Sequence, residues 1–338
     1  MQTSAQVQDL PVKIVSITGA GGAIGYDLCF LVASGRLLGP GYRVHIKMIE
    51  IPPVVPSLEG LICEIEDGAF PLFAGATATS DPKEGFKDAD YILLVGAKPR
   101  LPGMERSDLI ADNAKIFAAQ GAVINDVASS NAKIVVVGNP VNTNAYVLAE
   151  TAPKIPRKNI TSLTRLDYNR AVAALAKEAG KSAAQVVNPI IWGNHSAKMC
   201  VDLSQVKIDG QPVPESLDSV AFEKSVGKRG QTIMEKRGGK SSTYSAALAI
   251  CDHVYDWVNG TRENTYVAMG VFAPADNEYG IPSWASFSGP VQCKNGEWTL
   301  AAGIALNEHT KEGLARNIEE LTEERNAVEK IIRPPTSA

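Results

Sequence analysis

Two short segments in the second half of the chain carry side chains suited to acid–base chemistry. His195 follows the apolar run Pro189–Trp192, while Asp167 and Arg170 stand three residues apart near the start of a predicted helix. Residues with that spacing share one side of a helix. A histidine exchanges protons near neutral pH, a carboxylate can orient it, and an arginine can hold a carboxylate. Together these residue types suit proton transfer to the carbonyl oxygen of a 2-oxo acid.

Each of these residues also has a structural explanation. Thr164 and Asp167 have the spacing of a capping box, in which the side chains satisfy backbone N–H groups at the start of a helix. A single histidine after a strand more often has a structural role than a catalytic one. The local sequence leaves both interpretations open.

Further cations lie in residues 97–109, which follow the apolar run Tyr91–Val95. Prolines and a glycine interrupt regular structure there, which predicts a loop able to move as a lid. The loop carries Arg100 and Arg106 at the sheet edge where doubly wound folds bind ligands. Two solvated surface arginines are the alternative interpretation.

Glycines follow the first apolar run, Val12–Thr18, and precede a helical pattern. Gly19, Gly22 and Gly25 stand three residues apart, a spacing that lets a backbone turn tightly and approach a pyrophosphate. The helix that follows offers free N–H groups and the positive end of its dipole to the phosphates. An ordinary strand-to-helix turn would also contain glycines.

An acidic residue, Glu50, ends the next predicted strand, Val44–Ile49. A carboxylate at this position can accept hydrogen bonds from both ribose hydroxyls of NAD, and it repels the 2′-phosphate of NADP. Taken alone, Glu50 is equally an ordinary charge at the end of a strand. The glycine loop and the acid together predict a dinucleotide site that prefers NADH to NADPH.

Two polar residues, Asn113 and Gln120, fall on the apolar face of the helix predicted after the arginine loop. Their spacing of two helical turns places them on the same side of that helix. Buried polar side chains need hydrogen-bond partners. Either a bound cofactor or the neighbouring helices would supply them.

The elements that position these residues differ between the two halves. In the first half, short apolar runs alternate with helical patterns, which predicts a Rossmann-type doubly wound parallel sheet. The second half predicts a mixed α+β domain with an apolar run over Val186–Trp192, hairpins near Asp209–Gln211 and Asn295–Glu297, and a terminal helix over Ile318–Ile332. We therefore expect a nucleotide-binding domain over 11–160 and a substrate domain over 161–333.

Composition excludes several other classes of protein. The 338 residues are 45% hydrophobic with a net charge of −4, and no basic cluster indicates nucleic-acid binding. The five cysteines lack a C-x-x-C pair and the four histidines lack metal-ligand spacing, so we expect free thiols, a reducing compartment and no metal site. No apolar run is long enough to span a bilayer, and residues 1–11 lack the features of a signal peptide, which makes the cytoplasm the expected location.

Taken together, these segments resemble the lactate/malate dehydrogenase family, and within it the malate dehydrogenases of the cytosolic type. The resemblance runs from about Val12 to about Ile332. It is carried by specific strings in matching order, namely Thr18–Gly25, Pro99-Arg100 with Gly103–Arg106, Val136–Pro140 with Asn142–Asn144, Leu163–Arg170 and Ile190–Ser196.

The resemblance implies an NAD-dependent enzyme that interconverts malate and oxaloacetate, in a family whose members are commonly homodimers. His195 would exchange the proton at the substrate oxygen, and Asp167 would hold His195. The implied substrate-binding residues are Arg170 for the C1 carboxylate, Arg106 for the reacting carbonyl, Arg100 for the distal carboxylate, and Asn139. The implied cofactor contacts are Gly19, Gly22, Ala23, Ile24, Gly25, Glu50, Asn113, Gln120, Val137, Gly138 and Asn139.

The chain departs from the family's pattern at several positions. Glu50 stands where NAD-using relatives usually carry Asp, and Met199-Cys200 stands where Tyr-Pro is expected. The segment 237–245 has an apparent one-residue glycine insertion, with Thr243 and Tyr244 where small residues or Met are expected. These departures leave two alternatives, a related 2-hydroxy acid dehydrogenase with shifted specificity and a non-catalytic NAD-binding protein.

Overall fold

A nine-stranded sheet runs through the chain, so that the two predicted domains share one central layer. The computed structural model describes residues 7–99, 105–214 and 216–333, except for the side chain of Arg106. Six strands lie parallel in the order β3-β2-β1-β4-β5-β6, which is the order of a doubly wound dinucleotide-binding fold. These strands are β1 (Val12–Thr18), β2 (Arg43–Ile49), β3 (Phe73–Thr79), β4 (Tyr91–Leu94), β5 (Lys133–Val136) and β6 (Ile160–Ser162).

Helices cover both faces of this sheet. They are α1 (Ala23–Ala33), α2 (Val55–Asp67), α3 (Pro82–Phe86), α4 (Arg106–Val127), α5 (Val141–Thr151), α6 (Arg165–Glu178), α7 (Ser219–Gly227), α8 (Arg229–Lys236), α9 (Tyr244–Asn259) and α10 (Glu308–Ile332). Helices α1, α6 and α9 pack together over one hydrophobic core, and α4, α5 and α10 pack over another. Within the described residues, no helix has the length and apolar content needed to cross a membrane.

The remaining strands belong to the second half of the chain. Antiparallel strands β12 (Val267–Phe272), β13 (Ser286–Lys294) and β14 (Glu297–Leu300) extend the central sheet beyond β6. Two small sheets contain β7 (Val186–Val187) with β10 (Lys207–Ile208) and β11 (Gln211–Pro212), and β8 (Ile190–Trp192) with β9 (Cys200–Asp202). The Rossmann-type sheet followed by a mixed α+β half is therefore confirmed.

Local sequence explains several of these elements. Every residue of β4 and β12 is buried, as expected for strands covered on both faces. The predicted hairpins are present, because Asp209-Gly210 and Asn295-Gly296 take the positive φ angles that a two-residue hairpin turn requires.

Two predictions about elements were wrong in part. The apolar run Val186–Trp192 divides between two sheets, because Asn188 has a φ of 64° and Pro189 follows it. The terminal helix starts at Glu308, ten residues before the predicted start at Ile318, and Asn307 is its N-cap. The expected domain boundary near residue 160, at the first residue of β6, stays a prediction.

Candidate active site

The glycine loop forms a cradle between β1 and α1. Gly19 has a φ of 68°, and a Cβ at this residue would lie 2.8 Å from the Cα of Gly96. A Cβ at Gly25 would overlap the carbonyl oxygen of Gly19, so this packing of turn against helix requires glycine. Helix α1 begins at Gly22 without a side-chain cap, which leaves its first N–H groups without side-chain partners. Such a helix start is suited to bind a pyrophosphate.

Glu50 closes one side of this cradle. Its carboxylate accepts hydrogen bonds from the N–H of Gly21 at 3.2 Å and from the N–H of Ile51 at 3.0 Å. Neighbouring Gly22 and Ala23 are exposed, and Ile24 is half-buried, so the first turn of α1 faces outward beside the acid. An acid held beside the phosphate cradle is positioned for the ribose of a dinucleotide.

The end of β5 passes across the same edge of the sheet. Val137 and Gly138 both donate backbone hydrogen bonds to the carbonyl of Leu94, each at 3.0 Å. A Cβ at Gly138 would lie 2.7 Å from the Cβ of Ala97, so glycine permits this close approach. Asn139 follows as an exposed residue, open toward the cleft at the carboxyl ends of the strands.

Asn113 and Gln120 on α4 differ in their surroundings. The fully buried amide of Asn113 accepts from the N–H of Lys98 at 2.8 Å and donates to the carbonyls of Lys98 and Asn139. The chain itself therefore supplies these hydrogen bonds, but from backbone groups outside the helices rather than from the neighbouring helices. The Oε1 atom of Gln120 is buried and finds no partner in the part of the chain that the structure describes. A contact of either residue with the cofactor stays a prediction.

The structure brings His195, Asp167 and Arg170 together. The Nδ1 atom of His195 lies 2.5 Å from one carboxylate oxygen of Asp167, and the guanidinium of Arg170 lies 3.2 Å from the other. The Asp167 side chain is fully buried, whereas 23% of the His195 side chain is exposed. Because an ionised carboxylate only accepts hydrogen bonds, Nδ1 carries a proton and donates it, which leaves Nε2 for a ligand. The predicted acid–base set therefore forms one group of contacting residues.

Charge sets the protonation of His195. The negative charge of Asp167 raises the pKa of His195 above its ordinary value, and the hydrogen bond between them adds to this effect. Burial and the positive charge of Arg170 act in the opposite direction and lower it. The net shift favours the imidazolium, the form that can donate a proton to an oxygen atom.

The capping-box interpretation of Thr164 and Asp167 is wrong. Thr164 is the N-cap of α6, but its side chain makes no capping hydrogen bond. Its hydroxyl instead accepts from the hydroxyl of Ser288 at 2.8 Å, and Asp167 turns toward His195. Tertiary contacts therefore take both side chains away from the helix backbone.

The loop that carries His195 is held by residues that the sequence analysis did not single out. The amide of Asn142 accepts from the N–H of His195 at 2.9 Å and donates to the carbonyl of Ser286 at 2.8 Å. The Oδ1 atom of Asn317 accepts from the N–H of Asn194 at 2.8 Å. The only sequence signal was the polar string Asn142–Asn144 at the start of a helix that proves to be almost wholly buried.

Two buried glutamates on α10 complete this support. Glu320 accepts from the side chains of Asn194 and Ser196 at 3.0 and 2.6 Å, and Glu324 accepts from Asn194 at 3.2 Å and from Thr143. Helix α10 is distant in sequence from the loop, so this contribution depends on tertiary structure. The result is a rigid setting for the histidine.

Of the three arginines predicted to bind the substrate, the structure describes the side chain of Arg170 alone. Arg170 is 14% exposed, its Nη2 lies 3.5 Å from the hydroxyl of Ser242, and its buried Nε has no partner among the described residues. It also lines a cavity of about 800 Å³ between α6, α7 and α8. Arg106 is the first residue of α4, but its side chain and the whole of Arg100 lie outside the described part of the chain.

The fold and these residues define an oxidoreductase of the dinucleotide-dependent kind. A phosphate cradle, an acid for the ribose and a histidine–aspartate pair beside an arginine meet the needs of hydride and proton exchange on a carbonyl.

Comparisons with known proteins agree with this class. Residues 13–161 match the NAD-binding domain of lactate/malate dehydrogenase, and residues 164–332 match the α/β C-terminal domain of the same family. A malate dehydrogenase from Naegleria fowleri is 38% identical over 95% of this chain and 99% of that chain, with a TM-score of 0.89. A lactate dehydrogenase from Trichomonas vaginalis, solved with NADH and oxamate, is 37% identical over 94% of this chain and 98% of that chain, with a TM-score of 0.88.

The chain belongs to the lactate/malate dehydrogenase family. It is an oxidoreductase with NAD as its cofactor, and its glycine cradle and uncapped α1 are suited to hold that cofactor. Relatives of nearly equal identity carry the two different substrate names, so the family alone does not choose between malate and lactate.

Proposed function

We propose that this enzyme is a malate dehydrogenase that interconverts malate and oxaloacetate. The observation that carries the proposal is an arginine, Arg100, in the predicted lid of a family member. Oxaloacetate has a distal carboxylate that Arg100 would pair with, whereas pyruvate has a methyl group there. An arginine enclosed without its partner costs about 2–5 kcal/mol, which corresponds to roughly 30-fold to a few thousand-fold in selectivity.

The residues of the candidate site would have definite roles in this reaction, with that of Arg106 taken from the family resemblance. Arg170 would clamp the C1 carboxylate with a bidentate pair, and its Nε has no hydrogen-bond partner among the described residues. Arg106 would polarise the reacting carbonyl, and Asn139 would contact the substrate beside the nicotinamide. The Nε2–H of His195 would donate its proton to the carbonyl oxygen during reduction, and neutral His195 would accept it back during oxidation of malate.

Asp167 would stabilise the imidazolium and hold its orientation, since it contacts both His195 and Arg170. NAD supplies the hydride chemistry when it is bound. The residues proposed to hold it are Gly19, Gly22, Ala23, Ile24, Gly25, Glu50, Asn113, Gln120, Val137, Gly138 and Asn139. We also propose that residues 11–160 form the nucleotide domain and residues 161–333 the substrate domain.

A second candidate is a related enzyme with shifted 2-oxo acid specificity. Thr243 and Tyr244, which depart from the family's pattern, are the reason to consider shifted specificity. The side chain of Tyr244 is exposed and lies beside Phe30 and Phe70 in a shallow depression, away from Arg170. Ser242, in contrast, contacts Arg170 at 3.5 Å. The segment therefore gives less support to shifted specificity than its composition indicated.

We further propose a homodimer located in the cytoplasm. The apolar faces of the helical segments Leu58–Asp67 and Ala246–Trp257 pack inside the chain's own core, so they do not carry this proposal. Exposed aromatic side chains at Tyr26 and Tyr244 support it instead. All five cysteines are free thiols, in keeping with a reducing compartment.

Initial rates of NADH oxidation with oxaloacetate and with pyruvate, at matched low concentrations, test the substrate. We expect a preference for oxaloacetate of roughly 30-fold or more in kcat/KM, and we expect Arg100→Gln to remove most of it. Arg262→Gln, on the surface near Ala184, is the matched control and should retain the preference. Equal rates, or a preference for pyruvate, in the unmodified enzyme would overturn the proposal while leaving the family assignment intact.

A further inference from the structure

A second cluster of reactive side chains lies in the substrate half of the chain. Cys200 on β9, Glu223 on α7 and His309 on α10 bring one sulfur, one carboxylate oxygen and one ring nitrogen within 4.8 Å of one another. The ring Nε2 of His309 is 3.0 Å from Oε2 of Glu223. None of these three residues has a role in the proposed reaction.

The surroundings hold the carboxylate in a fixed orientation. The N–H of Val201 donates to Oε2 of Glu223 at 2.9 Å, and a guanidinium nitrogen of Arg316 lies 3.6 Å from Oε1. Contacts of this kind from surrounding residues orient the ligands in metal sites. A cation bound by Nε2 of His309 would end the hydrogen bond from that nitrogen to Oε2, which leaves one of the two lone pairs of this oxygen for the cation.

We propose that Cys200, Glu223 and His309 bind one Zn²⁺ ion, with water as the fourth ligand. Thiolate, imidazole and carboxylate are the ligands that zinc takes in proteins, at about 2.3, 2.0 and 2.0–2.2 Å respectively. Mg²⁺ and Ca²⁺ take oxygen ligands, so a sulfur and a nitrogen in the set exclude them. The side chain of His309 is 32% exposed, which gives the water ligand access from solvent.

Binding exchanges a proton for the metal at Cys200. The S–H bond breaks, its proton leaves to solvent, and a sulfur–zinc bond forms without any change in oxidation state. Affinity therefore increases with pH.

The packing around the sulfur is already tight. A Cβ at Gly313 on α10 would lie 2.6 Å from Sγ of Cys200, so only glycine lets this helix pass so close. A bound ion would join β9, α7 and α10, three elements distant in sequence. Because β9 follows the loop that carries His195, occupancy stabilises the substrate half around the catalytic residue.

Cys200 is also a position at which this chain departs from the family's pattern, since Met199-Cys200 replaces an expected Tyr-Pro. The zinc site is therefore a feature of this chain, separate from the family's activity. The spacing rules applied to the sequence predicted no metal site, because they detect ligands that are close along the chain.

Titration of the purified full-length enzyme with Co²⁺, followed by competition with Zn²⁺, tests the site. We expect one equivalent of Co²⁺ to produce sulfur-to-cobalt charge-transfer absorption, which Zn²⁺ abolishes. Saturating Zn²⁺ should raise Tm by about 5 °C. His309→Gln and Cys200→Ser should each lose the absorption and the Tm shift, and circular dichroism without metal checks that both variants fold.

Cys63→Ser is the matched control, because Cys63 is exposed on α2 and offers the competing thiol. It should keep both signals. Absence of the thiolate absorption in the unmodified enzyme overturns the proposal, as does its survival in His309→Gln or its loss in Cys63→Ser.

Discussion

The nucleotide side and the acid–base side of this site are built from different material. The nucleotide cradle consists of backbone, in which Gly19 and Gly25 bring turn and helix together and α1 presents its N–H groups. The acid–base side consists of side chains from separate elements, in which Asp167 and Arg170 on α6 meet His195 after β8.

The difference teaches how each side responds to substitution. A backbone cradle fails when a side chain is added, because the atoms that bind cannot move independently of the fold. A side-chain cluster fails when a group is removed, because a buried charge or hydrogen bond then loses its partner. The two sides should therefore separate in experiments that measure cofactor binding and catalysis independently.

His195→Asn should give the largest difference between the effect on catalysis and the effect on cofactor binding. Removing the proton donor should lower kcat for oxaloacetate reduction about 10³-fold, while the dissociation constant for NADH changes little. Steady-state rates and fluorescence titration with NADH measure the two quantities. His45→Asn, on β2, is the control and should leave kcat near the unmodified value. Retention of full activity in His195→Asn would contradict the assigned role.

Asp167→Asn should also impair catalysis, because Asp167 orients His195 and stabilises its charge. We expect kcat/KM to fall about 10²–10³-fold. Because Asp167 raises the pKa of His195, its loss lowers that pKa. Reduction needs protonated His195 and weakens as the pH rises through this pKa, so the decline should begin at a lower pH in the variant.

The pH profile of kcat/KM with saturating NADH measures this shift. Asp126→Asn, an exposed residue that pairs with Lys154, is the matched control and should keep the original profile. A variant profile that overlays that of the unmodified enzyme would show that Asp167 does not control the charge of His195.

Gly25→Ala tests the backbone side in the same way. The added Cβ would overlap the carbonyl of Gly19, and displacing the turn costs about 1–3 kcal/mol. NADH should therefore bind roughly 5-fold to 150-fold more weakly. Gly60→Ala is the control, since nothing lies within 4 Å of its added Cβ and alanine favours a helix. Isothermal titration with NADH distinguishes the two, and equal affinities would contradict the cradle.

The same contrast explains what could be predicted from the sequence. The glycine loop and Glu50 lie in local patterns, so residue spacing predicted them at one edge of a parallel sheet, whereas the end of β5 was implied only by the family resemblance. His195, Asp167 and Arg170 were recognised by residue type and family resemblance. Their contact depends on how β8 meets α6, which no local pattern contains.

The features that could not be predicted from the sequence depend on tertiary contacts. Asn317 and Glu320 support the His195 loop from α10 and belong to no motif. Asn142 on α5 lies in a string typical of the family, but that string does not indicate its contact with His195. Strand β12 pairs with the edge strand β6, and β13 pairs with β12, so both strands extend the first sheet. Hydrophobic patterns do not predict which strands pair. The NADH preference inferred from Glu50 stays a prediction.

His253, a second buried histidine, can be compared with His195, and the effect expected from its substitution is the smallest of those described. His253 on α9 is fully buried, and its Nε2 lies 2.9 Å from the hydroxyl of Thr161. Among the residues that the structure describes, it has no acidic partner such as Asp167 provides to His195. Burial and the charge of Arg165 lower its pKa to about 3. It is therefore neutral in the folded protein over the range in which an unfolded histidine takes up a proton.

The sign of the resulting pH dependence follows from proton counts. Below a pH of about 6.5 the unfolded chain binds a proton at His253 that the folded chain does not. The free energy of unfolding therefore falls by about 1.4 kcal/mol per pH unit through this one group as the pH decreases toward 3. His195, with its raised pKa, loses its stabilising contribution only as the pH rises, so it does not disturb this window.

His253→Gln should remove that slope while keeping an amide near Thr161. Urea unfolding between pH 6 and pH 5 measures the free energy in both proteins, and the loss on acidification should be about 1 kcal/mol smaller in the variant. The difference between proteins isolates His253, since the carboxylates titrate alike in both. His45→Gln, at a half-buried site, should change the slope less. Identical slopes in His253→Gln and the unmodified protein would mean that His253 is protonated in the fold.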